Sequence, residues 1–372
     1  MLEIMPRRCL REVTPYAPGK SIASVQRELG LRRVIKLASN ENPLGPSPKA
    51  MAVYRRAEKS CSLYPEGSSP ELRQAIARFH KLAPERVLVG NGSDELIRLL
   101  CEAFLDPEDE GVASQYGFIR FRQQVLMMGA RVIEVPVVDW THDLATMARA
   151  CSSRAKLLFV ANPNNPTGTY NTEEETRALL AAVPRQTLVI LDEAYVQYAR
   201  GCPGYPDSIP ALIDEFDNLI VLRTFSKAYG LAGLRAGYAV GNPEVLGWLD
   251  RIRMPFNVSL PAQRACVAAL EDRRFVEKSV ALAVKGRESL AAGLRELGFA
   301  VEESATNFLF ARAPLPGREL FRALLRLGVI IRPLDEYLLP SHVRVTVGSP
   351  EQNKALLSAL RRVLSGKGAV PA

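Results

Sequence analysis

From about residue 86 the chain alternates short apolar runs with stretches of helical spacing. Residues 86–90, Arg-Val-Leu-Val-Gly, read as a strand, and 93–105 as a helix whose apolar face is Leu96, Ile97, Leu99, Leu100 and Phe104. Later runs at 131–135, 156–161, 187–191, 219–222 and 237–240 read as further strands, several of them separated by helical stretches. Strands that are apolar throughout and alternate with helices predict a mostly parallel α/β sheet covered on both faces.

After about residue 255 the pattern changes. Helical stretches at 262–270 and 276–297 precede short runs at 307–311 and 329–332; a run at 343–347 and a helix at 351–364 follow. This predicts a smaller α+β domain. The first forty-odd residues hold no complete βα unit and are expected to pack as an arm on something larger. The expected division is an arm over 1–45, a large domain over 46–255 and a small C-terminal domain over 256–372.

Composition narrows the function classes. A chain of 372 residues exceeds one ordinary core, and 47% hydrophobic with 24% charged residues is a globular composition. No apolar run reaches the roughly 18 residues of a membrane span. Residues 1–10 carry Glu3, Arg7 and Arg8 and lack the apolar core of a secretory signal. The six cysteines fall in no close metal-ligand spacing and there are three histidines, so neither a metal site nor a disulfide framework is expected, and a reducing cytoplasm fits. The net charge is +8, but the basic residues are spread and interleaved with acids. That argues against nucleic acid and for a surface suited to anionic small molecules.

In open α/β sheets ligands sit beyond the carboxyl ends of the strands. Four such ends stand out. Gly90-Asn91-Gly92-Ser93-Asp94-Glu95 pairs two glycines with capping residues at a helix start, an arrangement suited to phosphate, although a plain capped turn would look the same. It fits neither the Walker pattern nor G-x-G-x-x-G, because Glu95 holds the third glycine position. Asn162-Pro163-Asn164-Asn165-Pro166-Thr167-Gly168 is a rigid loop, either an ordinary turn or a holder for an Asn amide. Val189-Ile190-Leu191-Asp192-Glu193-Ala194-Tyr195 ends an apolar strand on two carboxylates; a buried Asp there would keep a cationic ring nitrogen protonated, and Tyr195 could reach a phenolic oxygen. Thr224-Phe225-Ser226-Lys227 sets a lysine among hydroxyls, with Arg235 following. Such a lysine is commonly a surface residue, yet lysine also makes Schiff bases when its pKa is lowered. One phosphate cradle, one Asp, one Tyr and one Lys together match pyridoxal 5′-phosphate (PLP).

At this point the sequence resembles fold-type I PLP-dependent aminotransferases, and within them the histidinol-phosphate aminotransferase family. The stretches 36–48 (Lys-Leu-Ala-Ser-Asn-Glu-Asn-Pro-Leu-Gly-Pro-Ser-Pro) and 223–235 (Arg-Thr-Phe-Ser-Lys-Ala-Tyr-Gly-Leu-Ala-Gly-Leu-Arg) carry most of the likeness, which runs over nearly the whole chain. The resemblance implies a mostly parallel seven-stranded sheet in the large domain. It implies that Lys227 holds PLP and moves the proton between Cα and the cofactor's C4′ carbon. Asp192 would pair with the pyridine nitrogen, Tyr195 and Asn165 with the ring's 3′ oxygen, and Tyr116 would stack on the ring. Gly92, Ser93, Asp94, Ser226 and Arg235 would hold the phosphate, joined by Tyr64 from a neighbouring subunit, which implies a homodimer with shared active sites.

For the substrates the resemblance implies an amino donor and a 2-oxo acid. Arg344 would clamp the carboxylate and Arg332 would add charge for a substrate phosphate, with Tyr16, Asn42 and Asn307 lining the same pocket. Alone, either arginine could equally be a surface ion pair. The expected reaction is amino transfer between histidinol phosphate and 2-oxoglutarate in histidine biosynthesis. Aromatic amino-acid transamination and phosphothreonine decarboxylation are its rivals within the fold. A nicotinamide-dependent dehydrogenase would share the α/β pattern, but the glycine fingerprint is missing. A non-catalytic binding protein would have no reason to keep Lys227, Asp192 and Tyr195 together.

Overall fold

The structure, a computed structural model, describes residues 4–15 and 19–366. Its centre is a seven-stranded sheet. In spatial order the strands are Val87–Gly90, Gly237–Val240, Leu219–Thr224, Leu188–Asp192, Ala155–Ala161, Glu110–Ser114 and Arg131–Val135. Gly237–Val240 runs antiparallel to both its neighbours, and every other pairing is parallel. The mostly parallel α/β sheet expected from the sequence is therefore present.

Alternation along single strands shows why these runs are apolar throughout. Leu158 and Val160 enter one core cluster, while Leu157, Phe159 and Ala161 enter the other. Val189 and Leu191 face the first, and Ile190 the second. Both faces of the sheet are buried under helices, so the middle of each central strand is apolar and the polar members, Lys156, Asp192, Arg223 and Thr224, fall at or next to strand ends.

One strand was not evident from the pattern. Glu110–Ser114 has only Val112 and Ala113 as apolar members, yet all five residues are buried. Gly111 supplies the reason: a Cβ there would lie 2.6 Å from Val125 Cγ2, so the covering helix Ile119–Met128 packs directly on backbone. Glu110 is paired with Arg154 at 2.9 Å and also bonds to Ser152.

A second, four-stranded antiparallel sheet runs Ala300–Val301, Phe308–Arg312, Leu339–Thr346, Arg332–Leu334. Helices Arg273–Glu296, Gly317–Arg326 and Pro350–Leu364 cover it through Leu290, Leu294, Leu320, Leu324, Leu356 and Leu360. The single run expected at 329–332 divides. Val329–Ile330 pairs in parallel with Ile35–Lys36 of the N-terminal segment, while Arg332–Leu334 joins the four-stranded sheet. The N-terminal segment thus lies against these C-terminal elements, with Val25 and Ala38 packed on Leu325 and Ile330. Helix Leu260–Leu270 packs against Pro48–Ala57 and Pro70–His80, in the core of the large sheet. The 24-residue helix Arg273–Glu296 then spans from that core, at Val276, to the second sheet, at Leu290.

Candidate active site

The carboxyl ends of three central strands open into a cavity of about 550 Å³. The sheet contributes Ala161, Asp192, Thr224, Ser226 and Lys227. The opposite wall comes from Ala38–Glu41 of the N-terminal segment and from Arg332 and Arg344 of the second sheet.

The neighbouring carboxylates Asp192 and Glu193 part company at the end of their strand. Glu193 is fully buried and pairs with the buried guanidinium of Arg223 at 2.6 Å, away from the cavity lining. Asp192 lines the cavity, is 5% exposed, and accepts a hydrogen bond from Ala194 N–H at 3.1 Å. Burial pushes its pKa up to about 7, and the nearby Lys227 works in the opposite direction. Lys227 Nζ lies 3.4 Å from the Ser39 carbonyl oxygen and 5.7 Å from the centre of the Tyr195 ring. Burial, and then the positive charge of Arg344, lower its pKa to about 8. A half-buried lysine with that pKa supplies neutral amine near pH 7 to 8, which a nucleophile or proton carrier requires.

The residues expected to hold a phosphate, Ser93, Asp94, Ser226 and Arg235, line the same cavity. Ser93 and Asp94 line the cavity at the start of helix Gly92–Phe104, where backbone N–H groups and the helix dipole favour an anion. Gly92 is required: its φ is +75°, and a Cβ would lie 2.7 Å from Arg235 Nη2. Ser226 and Arg235 line the same end. Thr224 Oγ1 donates to Ser226 Oγ at 2.9 Å and accepts from Ser226 N–H at 3.1 Å, fixing the turn that carries Lys227.

Tyr195 and Asn165 line the cavity. Arg344 Nη1 donates to Asn165 Oδ1, which leaves the amide NH2 as the end able to donate elsewhere. Arg344 Nη2 donates to the Ala38 carbonyl at 2.8 Å, and its Nε is buried without a hydrogen-bond partner. Arg332 lines the cavity and pairs with Glu336.

Other expected residues lie off the lining. Asn42 donates to Ala228 carbonyl oxygen at 3.0 Å and to Ser279 Oγ at 2.9 Å, tying the lysine segment to helix Arg273–Glu296. Asn307 is buried and donates to the Asn40 carbonyl at 3.0 Å. The Tyr116 ring packs 5.6 Å from Trp140, and its backbone carbonyl accepts from Asn164 Nδ2. Tyr64 is 82% exposed and stacks on Phe256 at 4.7 Å. Tyr16 lies outside the described residues.

The asparagine of the N-terminal segment that lines the cavity is Asn40, two positions before Asn42. Its φ of 56° is left-handed, which Asn tolerates better than most residues. Asn40 Nδ2 donates to Tyr195 Oη at 2.9 Å, while its backbone N–H and Oδ1 bond to Thr346 Oγ1. Spacing alone does not separate two asparagines in one loop; only the backbone turn does. Phe118 and Arg120 also line the cavity, Arg120 bonding Asp94 at 2.6 Å.

Among the described residues no group of His, Cys, Asp and Glu is placed to hold a metal, and no helix is long and apolar enough to cross a membrane. Comparison with known proteins agrees with the geometry. The family described as aminotransferase class I and II matches residues 32–360. A histidinol-phosphate aminotransferase of Symbiobacterium thermophilum is 46% identical over 362 residues, covering 97% of this chain and 99% of that protein. One from an Anaeromyxobacter species is 49% identical over 354 residues, covering 95% and 97%. The crystal structure of histidinol-phosphate aminotransferase from Sinorhizobium meliloti in complex with pyridoxal 5′-phosphate superimposes with a TM-score of 0.89 at 28% identity, covering 98% of this chain and 99% of that one. With a lysine, an aspartate and a helix N-terminus converging on one cavity, and a family match over most of its length, the chain belongs to the class I and II aminotransferases.

Proposed function

We propose that the chain moves an amino group between L-histidinol phosphate and 2-oxoglutarate, as a step of histidine biosynthesis, with PLP as its cofactor. The observation that carries this reading is one cavity lined by the half-buried Lys227 and the buried carboxylate of Asp192 on one wall and by two guanidinium groups, Arg332 and Arg344, on the other. The substrate assignment is supported by relatives of that name at 40–49% identity over nearly the full chain.

The residues fit the cofactor. Asp192 is a buried carboxylate whose pKa is raised to about 7, so a cationic ring nitrogen beside it would restore its ionised form. The N–H groups of Ser93 and Asp94, the Ser226 hydroxyl and Arg235 suit a phosphate. Tyr195 and the Asn165 amide suit a phenolic oxygen, and Tyr116 is assigned to the ring face. When bound, PLP supplies a ring that accepts the electron pair left after the α proton departs. Lys227 would hold the cofactor until the donor amine displaces it, and the freed Nζ would then take the α proton and hand it on to the cofactor side. Asn40 holds Tyr195 through its hydroxyl. Arg344 has a buried Nε lacking an acceptor, and a substrate carboxylate would satisfy it. Arg332 meets the distal anion, phosphate or second carboxylate. Asn42 and Asn307 support the pocket from behind its lining residues, and Tyr16 is assigned to the same pocket by the family likeness.

The working unit in this reading is a cytoplasmic homodimer. The exposed Tyr64, beside exposed Leu63, Met254 and Phe256, forms an apolar patch suited to a second copy, so that the partner subunit's Tyr64 reaches the phosphate. An arm over 1–45, a large domain and a small C-terminal domain remain the proposed organisation, with the second boundary drawn after Leu270 instead of at 255, because helix Leu260–Leu270 packs in the core of the large sheet.

The test is a half-reaction. Histidinol phosphate added alone to the PLP-loaded enzyme should remove the near-visible cofactor absorption, and 2-oxoglutarate should restore it. A response to phenylalanine or phosphothreonine instead would keep the cofactor and reassign the substrate. No response to any amine would remove the reading.

A further inference from the structure

Arg332 and Arg344 stand directly opposite each other on neighbouring antiparallel strands. Like charges in that register repel, so each guanidinium depends on its own counter-group. Arg344 is held by neutral acceptors, the Ala38 carbonyl and the Asn165 amide oxygen. Arg332 is held by a full charge. Its Nε and Nη2 both donate to Glu336 Oε1, at 3.2 and 2.5 Å. The two side chains are only 10% and 22% exposed, so solvent and salt screen the pair less than they would at the surface.

The position of this carboxylate matters because Arg332 lines the cavity and Glu336 is not among the lining residues. The Nη1 end of the fork faces the N-terminal segment, where a Cβ on Gly19 would lie 3.9 Å from it, and Gly19 lines the cavity too. The two-nitrogen edge that best receives an oxyanion is taken by the protein's own acid.

We propose that Glu336 is a specificity-determining residue that acts through Arg332, as a built-in competitor for the substrate's distal anion. This rests on the reading of Arg332 as the residue that meets that anion. An amino-transfer enzyme takes two substrates in turn at one site, and in this reaction both bring an anion to Arg332. A carboxylate that already holds the fork lowers the affinity of each. It also refills the fork when a product leaves, which shortens the product's residence.

The test uses the borohydride-reduced, PLP-loaded enzyme, which binds ligands but cannot turn them over. Dissociation constants for histidinol phosphate and for histidinol are measured by calorimetry in the native protein, in Glu336→Gln and in Arg332→Gln. Their ratio reads recognition of the phosphate alone. In Glu336→Gln the preference for histidinol phosphate should rise on the order of fivefold, because the amide keeps the shape and removes the competing charge. A preference that is unchanged or reduced would overturn the proposal. A general structural disturbance would move both constants together and leave their ratio fixed, which also counts against it. Arg332→Gln separates the two claims. Loss of the preference there, with no rise in Glu336→Gln, would leave Arg332 as the anion residue and reject the competitor. If Arg332→Gln keeps the native preference, the placement of the anion at Arg332 is itself wrong.

Discussion

The two walls of the cavity are built in different ways. On the sheet wall, Asp192, Tyr195, Thr224, Ser226, Lys227 and Arg235 come from two strand ends and the segments that follow them. On the opposite wall, Asn40 and Thr346 bond to each other across 306 positions of chain, as do Ala38 and Arg344. The sheet wall is held by parallel pairing deep in a core buried on both faces. The opposite wall is held by a two-residue parallel pairing of Ile35–Lys36 with Val329–Ile330 and by single side-chain hydrogen bonds between the N-terminal segment and the second sheet. A rigid wall suits groups that hold a cofactor and move a proton. A wall assembled from separate segments suits groups that admit and release substrates.

The largest effect should come from the rigid wall. Asp192→Asn keeps the side-chain shape and removes the charge for the ring nitrogen. It should lower kcat by about 10²–10³ with a small change in KM; steady-state kinetics with both substrates checks this. Equal losses in kcat and affinity would mean that Asp192 is mainly structural.

Next in size is Arg344→Gln on the opposite wall. Removing a buried hydrogen-bonded charge should lower kcat/KM for 2-oxoglutarate by about 100-fold. Retained spectral binding of PLP would locate the loss at the substrate end. If the cofactor is lost instead, the two walls are not separable.

Asn40→Gly should cost less. Glycine keeps the left-handed backbone at φ 56° and deletes the side-chain bonds to the Tyr195 and Thr346 hydroxyls, so activity should fall roughly tenfold, the worth of one or two neutral hydrogen bonds. The same change at Asn42, which bonds outside the cavity lining, should show chiefly as a lower melting temperature.

The smallest effect links the walls. Lys227 has its pKa lowered to about 8, first by burial and then by Arg344. Only the neutral amine captures PLP, so capture by cofactor-free protein should speed up as pH rises through about 8 and level off above it. Loss of a nearby positive charge raises a lysine pKa, so Arg344→Gln should move that midpoint upward. Stopped-flow absorption across pH 6 to 10, read with both proteins, checks the direction.

The same contrast explains what was legible in the sequence. Each residue of the sheet wall follows an apolar run, so pattern and chemistry point to one place. Asp192 and Glu193 look alike in sequence, but strand alternation sends one to the cavity and the other to Arg223. The strand Glu110–Ser114 stayed hidden because its fit depends on Gly111 receiving Val125, a contact across elements with no local apolar signal. On the opposite wall only the family likeness points to Arg332 and Arg344, and nothing in the sequence separates Asn40, which lines the cavity, from Asn42, which does not. The deciding feature there is a single left-handed turn together with partners at Tyr195 and Thr346, and neither is encoded nearby.

The central claim is that Lys227 is the residue that holds the cofactor. The most direct measurement is borohydride reduction of the PLP-loaded enzyme, followed by proteolysis and mass spectrometry. The account predicts one phosphopyridoxyl mass increment, on the peptide that contains Lys227, and none in Lys227→Ala. An increment on another lysine, or an undiminished increment in that variant, would contradict it.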